Sequence, residues 1–283
     1  MILVTGAAGK TGTAAVKALV RRGARVRALV RRAEQSAALT ALGAEVSLGA
    51  FEDAAALASA ATGAHAVYHI CPNVSRAEVS FAHAVARAAR DGGVRRFVYH
   101  SVLHPQIEAM PHHWAKMRVE EMLFTAGFDL TVLQPAAYMQ NILGVWAGIV
   151  ADGVYRVPYP VGTRLSLVDL DDVAEAAAVV LTQSGHAGAT YELVGTEPLR
   201  PSEIAAALGA ALGRGVRAEE QSLAAWEARA HAGGMAEHER TTLAAMFRYY
   251  AAHGLTGNSN ALRWLLGRPP NTLGGFLARV VSR

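Results

Sequence analysis

The sequence opens with Ile2-Leu3-Val4-Thr5-Gly6-Ala7-Ala8-Gly9-Lys10-Thr11-Gly12, an apolar run that passes directly into three evenly spaced glycines. The apolar run is short enough for a buried strand, and residues 13–22 after the glycines have a helical pattern. A second apolar run, residues 25–30, follows and ends in Arg31-Arg32. Strand, glycine turn, helix and strand is how a doubly wound parallel sheet begins and how it holds a dinucleotide.

Each glycine has its own task in such a turn. Gly6 can adopt backbone angles that a side chain forbids, Gly9 lets the main chain approach a pyrophosphate, and Gly12 lets the helix lie against the strand. The spacing is G-x-x-G-x-x-G, and Val4 stands where a P-loop would require a glycine. The alternative is a glycine-rich turn without a ligand. The residues expected to bind the cofactor here are Gly6, Ala8, Gly9, Lys10, Thr11 and Gly12.

Length and composition bound the class of protein. A chain of 283 residues with 52% hydrophobic and 18% charged residues can bury a full core, as ordinary globular proteins do. No apolar run approaches the roughly 18 residues of a membrane span, and no basic leader precedes an apolar segment, so we expect neither span nor signal peptide. The single cysteine, Cys71, excludes an internal disulfide framework and is typical of a reducing cytoplasm. The net charge of +4 is scattered, so it does not predict nucleic-acid binding.

Strand-like and helix-like segments alternate along the first half of the chain. Further strands are predicted at residues 44–48, 64–70, 96–100 and 130–133, and the longer helices at residues 75–91 and 112–126. This alternation predicts an α/β fold with a Rossmann-type, doubly wound parallel sheet and a ligand crevice at the carboxyl ends of its strands. We therefore expect an NADP-binding domain over residues 1–150 and a smaller, mostly helical substrate lobe over residues 151–283, interleaved with the sheet.

The end of the second strand distinguishes NAD from NADP. NAD-selective sites usually carry Asp or Glu there to hold the ribose hydroxyls. This sequence has Arg31 and Arg32 instead, and no acidic residue before Glu34. Guanidinium groups pair well with a 2′-phosphate, so NADP(H) is favoured over NAD(H), with Arg31 the better candidate. The alternative is two solvated arginines at a strand end.

Several further motifs occur in a fixed order. They are Ser101 at the end of the fifth strand, Lys116, the run LQPAAYMQN at residues 133–141, the segment VDLDDV at residues 168–173 and the tail LLGRPPNTLGGFL. Together with VTGAAGKTG and the two arginines, the sequence resembles the NmrA-like branch of atypical short-chain dehydrogenases/reductases over nearly its whole length. The resemblance implies an NADP-binding Rossmann-type domain with a small C-terminal lobe that closes over the substrate. Members of the branch are either reductases, often of quinones or other aromatic acceptors, or catalytically silent sensors and regulators.

The expected catalytic residues follow from this resemblance. Reductases of the extended family use Ser together with Tyr-x-x-x-Lys, but here His112 stands at the Tyr position before Lys116. This departure argues against ordinary alcohol dehydrogenation. Lys116 is expected to hold the nicotinamide ribose, the alternative being a surface lysine paired with Glu120. His112 or His113 would deliver a proton near neutral pH, or would be solvated at a helix start.

The remaining site residues complete the hypothesis. Ser101 is expected to bond a substrate carbonyl or merely to end its strand, and adjacent histidines without acidic or cysteine partners do not predict a metal site. A quinone needs only a flat pocket beside the nicotinamide and stabilisation of the developing oxyanion. Catalytic residues are therefore Lys116, His112 and Ser101. Further cofactor contacts are expected from Cys71, Ser101, Lys116 and Pro135, and substrate contacts from His113, Tyr138, Asn141 and Trp146.

These features favour a cytoplasmic NADPH-dependent reductase of a quinone-like or polycyclic aromatic substrate. One alternative is an NADP-binding sensor that regulates a partner protein without chemistry, which the missing tyrosine motivates. Another is an isomerase, cyclase or oxygen-inserting enzyme of aromatic biosynthesis. The expected partner is a small aromatic molecule, with no nucleic acid and no membrane, and a homodimer is left open.

Overall fold

The structure is a computed structural model that describes residues 1–282. The chain divides into two compact units whose segments alternate along the sequence. The first unit comprises Met1–Gln106, His113–Gln134 and Val173–Tyr191, and the second comprises Ile107–His112, Pro135–Asp172 and the residues from Glu192 onward. The functions assigned above to residues 1–150 and to residues 151–283 stay predictions.

The described residues form eleven strands, and seven of them make up the largest sheet. The strands are β1 (Ile2–Val4), β2 (Val26–Val30), β3 (Glu45–Leu48), β4 (Ala66–His69), β5 (Arg96–His100), β6 (Asp129–Pro135), β7 (Ala137–Tyr138), β8 (Val154–Val157), β9 (Leu167–Val168), β10 (Ala189–Leu193) and β11 (Arg217–Glu220). The sheet has the order β10-β6-β5-β4-β1-β2-β3, and each adjacent pair from β3 across to β6 is parallel. The strand order reverses between β1 and β4, where a doubly wound sheet opens its ligand crevice. The predicted fold class is confirmed.

Helices follow the strands along the chain in both units. They are α1 (Lys10–Arg21), α2 (Ser36–Ala41), α3 (Ala54–Ala61), α4 (Glu78–Asp91), α5 (Pro111–Phe124), α6 (Trp146–Asp152), α7 (Leu170–Thr182), α8 (Pro201–Leu212), α9 (Leu223–Ala232), α10 (Glu237–His253), α11 (Asn260–Leu266) and α12 (Leu273–Val281), with 3₁₀ turns at Ala33–Gln35 and Met139–Val145. Among the helices of the described residues, none combines the length and the apolarity needed to cross a lipid bilayer.

The core of the first unit explains why its strands read as continuous apolar runs. Leu3, Val67, Phe97 and Val132, from four strands of the sheet, are each at most 2% exposed. Strands buried on both faces have no reason to alternate polar and apolar residues. Burial of each such side chain contributes roughly 1.5–3 kcal/mol before conformational entropy is counted.

Two elements differ from the sequence prediction for local physical reasons. The helix predicted from residue 75 begins at Glu78, because the Ser75 hydroxyl accepts from the backbone N of Ala77 at 3.1 Å in a turn that precedes the helix. The polar strand β11 was not predicted. It pairs in parallel with β8, and its residues, Arg217 to Glu220, carry no apolar alternation that would mark a strand.

Two buried aspartates organise the second unit. Asp169 and Asp172, on either side of the start of α7, have fully buried side chains. Asp172 Oδ1 accepts from Arg268 at 2.8 Å, and its Oδ2 accepts from the backbone N of Asn271 at 2.6 Å. Asp169 pairs with Arg279 and also accepts from the Asn271 side chain at 3.1 Å. The tail motif at residues 265–277, together with Arg279 just after it, therefore supplies the partners of the aspartates in the segment at residues 168–173.

Candidate cofactor and active site

The turn between β1 and α1 is shaped by its glycines. Gly6 has φ +60°, and a Cβ there would collide with the carbonyl oxygen of Ile70. A Cβ on Gly12 would collide with the backbone of Gly6 and Ala7. At Gly9 the nearest atom to an added Cβ is the Gly6 carbonyl oxygen, at 3.3 Å. Packing within the chain therefore requires glycine at Gly6 and Gly12, whereas a Cβ on Gly9 would make one close contact with a backbone oxygen.

The start of α1 is suited to an anionic ligand. Gly9 is its N-cap, with extended backbone angles, and the helix has no side-chain cap and no acidic residue in its first turn. A helix start without a cap presents backbone N–H groups and a partial positive charge to a phosphate. The uncapped helix start at Gly9 fits the pyrophosphate of a dinucleotide.

Arg31 and Arg32 lie where the adenosine ribose of such a dinucleotide would be recognised. Both follow β2 directly and are exposed. The backbone N of Arg32 donates to Gln35 Oε1 at 3.2 Å, which fixes the short 3₁₀ turn that follows. Two exposed guanidinium groups at this strand end fit a 2′-phosphate, and their role in cofactor choice stays a prediction.

The carboxyl ends of β1 and β4 are joined through one threonine that sequence reasoning missed. Thr5 Oγ1 accepts from the backbone N of Ile70 at 3.0 Å and lies 2.8 Å from His69 Nδ1. The His69 side chain is fully buried, and its ring stacks on Tyr99 with centroids 6.0 Å apart. Burial lowers the pKa of His69 to about 4, although the nearby Glu78 carboxylate opposes this shift. His69 is therefore neutral at physiological pH.

Lys116 is a buried ammonium rather than a surface lysine. Its Nζ lies 3.0 Å from Glu78 Oε1, 3.1 Å from the carbonyl oxygen of His100 and 5.3 Å from the centroid of the Tyr99 ring. The lysine side chain is 6% exposed and that of Glu78 is 1% exposed. The alternative of a surface pair with Glu120 is wrong, because the carboxylate bonded to Lys116 comes from α4.

Glu78 is the centre of this buried group. Its Oε1 also accepts from the Tyr99 hydroxyl at 2.8 Å. Burial opposes ionisation, but the charge and hydrogen bond of Lys116 and the bond from Tyr99 together hold the pKa of Glu78 below its ordinary value. Burial, and next the Glu78 carboxylate, raise the pKa of Cys71. The cysteine is therefore an unreactive thiol. Its predicted contact with the cofactor stays a prediction.

Ser101 belongs to a second buried group. Its hydroxyl donates to Glu120 Oε1, and Gln134 Nε2 donates to both oxygens of the same carboxylate at 3.0 Å. Burial raises the pKa of Glu120, while the bonds from Ser101 and Gln134 oppose the shift. Because the Ser101 proton faces Glu120, the serine oxygen offers a ligand only its lone pairs in this arrangement.

The two adjacent histidines of α5 differ in environment. His113 is fully buried, and its Nδ1 donates to the carbonyl oxygen of His104 at 3.3 Å. Burial lowers the pKa of His113 to about 4, so its ring is neutral. His112 is half-buried and is grouped with the second unit. Their predicted roles stay predictions, but a fully buried His113 cannot contact a substrate without moving.

Four of the residues predicted to contact substrate or cofactor lie in the second unit. Tyr138 is half-buried in β7, Asn141 is exposed in the 3₁₀ turn after it, and Trp146 is half-buried at the start of α6. Pro135 is buried at the end of β6. Their contacts with substrate or cofactor stay predictions. Within residues 1–282, no group of three or more His, Cys, Asp or Glu side chains could hold a metal ion.

The doubly wound sheet and the glycine turn at its switch point define a Rossmann-type dinucleotide-binding protein. Comparison of sequences makes this specific: the NmrA-like family profile matches residues 1–273, and the chain belongs to that family. The resemblance seen in the sequence motifs is thereby confirmed.

Known relatives are similar over most or all of their length. An NAD(P)H azoreductase of Xenophilus azovorans is 29% identical, with 98% of this chain and 96% of the relative covered. A (4-alkanoyl-5-oxo-2,5-dihydrofuran-3-yl)methyl phosphate reductase of Streptomyces griseus is 34% identical over 78% of this chain and 77% of its own. The crystal structure of an NADPH-dependent quinone oxidoreductase of Escherichia coli, complexed with NADPH, is 27% identical, covers 99% of both chains and superposes with a TM-score of 0.89. Each of these relatives is named for a reduction, and two of them are named for NAD(P)H or NADPH.

Proposed function

We propose that the protein is an NADPH-dependent reductase of a quinone-like or polycyclic aromatic substrate. The observation that carries the proposal is the start of α1 at Gly9 without a side-chain cap, followed by two exposed arginines at the end of β2. The substrate class rests on the relatives that are named for azo and quinone reduction.

The preference for NADPH over NADH rests on Arg31 and Arg32. A guanidinium paired with a phosphate forms charge-assisted, often bidentate hydrogen bonds. Hydrogen bonds to charged groups contribute roughly 1.5–3 kcal/mol, which corresponds to about ten- to a hundred-fold in affinity. Both arginines are exposed, so screening by solvent favours the lower end of that range.

Lys116 is assigned to the nicotinamide ribose. A lysine ammonium has three N–H donors, and the described residues give Lys116 two oxygen acceptors, Glu78 and the His100 carbonyl. The remaining donor is the one we assign to a ribose hydroxyl. When bound, the reduced nicotinamide supplies the hydride.

Reduction of a carbonyl, quinone or azo group also requires a proton at the developing anion. Ser101 already donates its proton to Glu120, and His113 is buried and neutral. His112 or solvent is therefore the proton donor that we propose. A quinone makes little demand on this donor, because the anion of a reduced quinone is itself a stabilised species.

The test is steady-state oxidation of NADPH by the purified protein with a panel of benzoquinones, naphthoquinones and an azo dye, repeated with NADH. We expect turnover with at least one aromatic acceptor and a higher kcat/KM for NADPH than for NADH. Lys116→Met should lose at least about tenfold in kcat/KM, whereas Lys17→Met, on the exposed side of α1, should match the unchanged protein. Tight NADPH binding without turnover of any acceptor would contradict the proposal and favour a sensor.

A further inference from the structure

The buried ion pair of Glu78 and Lys116 joins two different helices. Glu78 is the first residue of α4, Lys116 lies in α5, and the two side chains meet beside the carboxyl end of β5. Burying two charges is costly unless their geometry is good and their remaining hydrogen-bonding atoms are satisfied. Here Glu78 Oε1 accepts from both Lys116 and Tyr99, whereas its buried Oε2 has no hydrogen-bond partner among the described residues. The position of Glu78 at a helix start further favours the negative charge.

We propose that Glu78 is a positioning residue that holds the Lys116 ammonium in place for cofactor binding. This inference rests on the proposed function, in which Lys116 holds the nicotinamide ribose. Two fixed acceptors and the Tyr99 ring restrict a side chain that otherwise has four rotatable bonds.

Glu78, and not Glu120, is the carboxylate that is bonded to Lys116. Glu120 lies one helical turn along α5 and is the partner that helix spacing predicts, but its oxygens accept from Ser101 and Gln134. Removal of Glu78 therefore leaves the ammonium beside a carbonyl and an aromatic ring, without a directly bonded carboxylate. The other titratable groups that face the pair are Tyr99, His69, Cys71, Glu120 and His113.

The chain offers a direct measurement, because it contains only three lysines, Lys10, Lys17 and Lys116. Protein labelled with ¹³C at the lysine ε-carbon gives three signals, which Lys10→Arg and Lys17→Arg assign. In Glu78→Gln we expect the Lys116 signal to move and to report a more mobile side chain, because the ammonium loses one of its two fixed acceptors. Glu175→Gln removes a carboxylate that pairs with Arg22 at the surface, and it should leave the Lys116 signal unmoved.

The affinity for NADPH provides the second readout. In Glu78→Gln the dissociation constant for NADPH should rise about tenfold, together with the change in the Lys116 signal. Loss of a purely structural contact would lower thermal stability without changing the Lys116 signal or the affinity for NADPH. Glu78→Asp keeps the charge but is one methylene too short to reach Nζ at 3.0 Å, so it should give a smaller shift in the same direction.

The outcomes separate this inference from the proposed function. If the unchanged protein reduces no acceptor, the proposed function fails, and the Lys116 signal and the affinity for NADPH still decide the role of Glu78. If the Lys116 signal and the affinity for NADPH are the same in Glu78→Gln as in the unchanged protein, the inference is overturned even where quinones are reduced. Should Glu78→Gln not fold, a Glu78→Asp protein whose Lys116 signal and NADPH affinity both match the unchanged protein would overturn it.

Discussion

The buried histidine His113 makes the stability of the protein sensitive to mild acid. Its side chain is fully buried, with Nδ1 donating to the His104 carbonyl, and burial lowers its pKa from 6.5 to about 4. The unfolded chain therefore takes up a proton at higher pH than the folded protein does. The stability that neutral His113 contributes is complete above about pH 6.5 and is lost as the pH falls toward 4.

The magnitude follows from the two pKa values. Lowering the pH from about 7.5 to about 5 should cost the folded state roughly 2 kcal/mol through His113 alone. His113→Asn keeps a donor for the His104 carbonyl and cannot titrate. Its free energy of unfolding should therefore fall by about 2 kcal/mol less over the same interval than that of the unchanged protein.

Urea unfolding at the two pH values measures this difference. Comparing the variant with the unchanged protein cancels the other groups, including Glu120, whose raised pKa acts in the opposite direction. His83→Asn is the matched control, because His83 is an exposed histidine on α4. Equal losses in His113→Asn and in the unchanged protein would refute the assignment of a buried neutral ring.

Three further predictions concern the cofactor turn, cofactor choice and the second unit. Gly9→Ala should fold with a free energy of unfolding lower by about 1 kcal/mol, because alanine is a weaker N-cap, and it should bind NADPH more weakly in a fluorescence titration. Gly12→Ala should be far less stable in urea unfolding, because its Cβ collides with the backbone. Arg31→Ala should reduce the preference of kcat/KM for NADPH over NADH by about tenfold with the NADH value unchanged, and equal loss for both cofactors would contradict a 2′-phosphate contact. Burial raises the pKa of Asp172 against the bonds from Asn271 and Arg268, so ionisation of Asp172 costs stability as the pH rises from about 4 to 7. Asp172→Asn should accordingly gain stability relative to the unchanged protein over that rise, and a relative loss in urea unfolding would show the sign to be wrong.

Local patterns were sufficient to predict the strand, glycine turn, helix and second strand at the start of the chain. The β1 turn, α1 and the arginines after β2 lie within thirty-two consecutive residues, and each is specified by composition at short range. Gly6 and Gly12 are required by backbone collisions inside the same turn, which a sequence reader can anticipate because glycine spacing records them. The order of the strands then follows from right-handed crossovers.

The contacts of the catalytic candidates could not be predicted in this way. Helix spacing indicates Glu120 as the partner of Lys116, but the partner is Glu78, which lies 38 residues away in sequence. The choice depends on how α4 and α5 are placed against β5, and no local pattern encodes that placement. The bond from Ser101 to Glu120 is unpredictable for the same reason.

The start of α4 shows how a local feature of the sequence and the tertiary placement of side chains combine at this site. The helix begins at Glu78, which therefore lies in its first turn. A carboxylate at a helix start is stabilised by the helix dipole, and this helps to offset the desolvation of a side chain that is only 1% exposed. The hydrogen bonds from Lys116 and Tyr99, which depend on tertiary placement, favour the same charged form. The buried carboxylate is therefore stabilised by a local feature of its own helix and by partners that are distant in sequence.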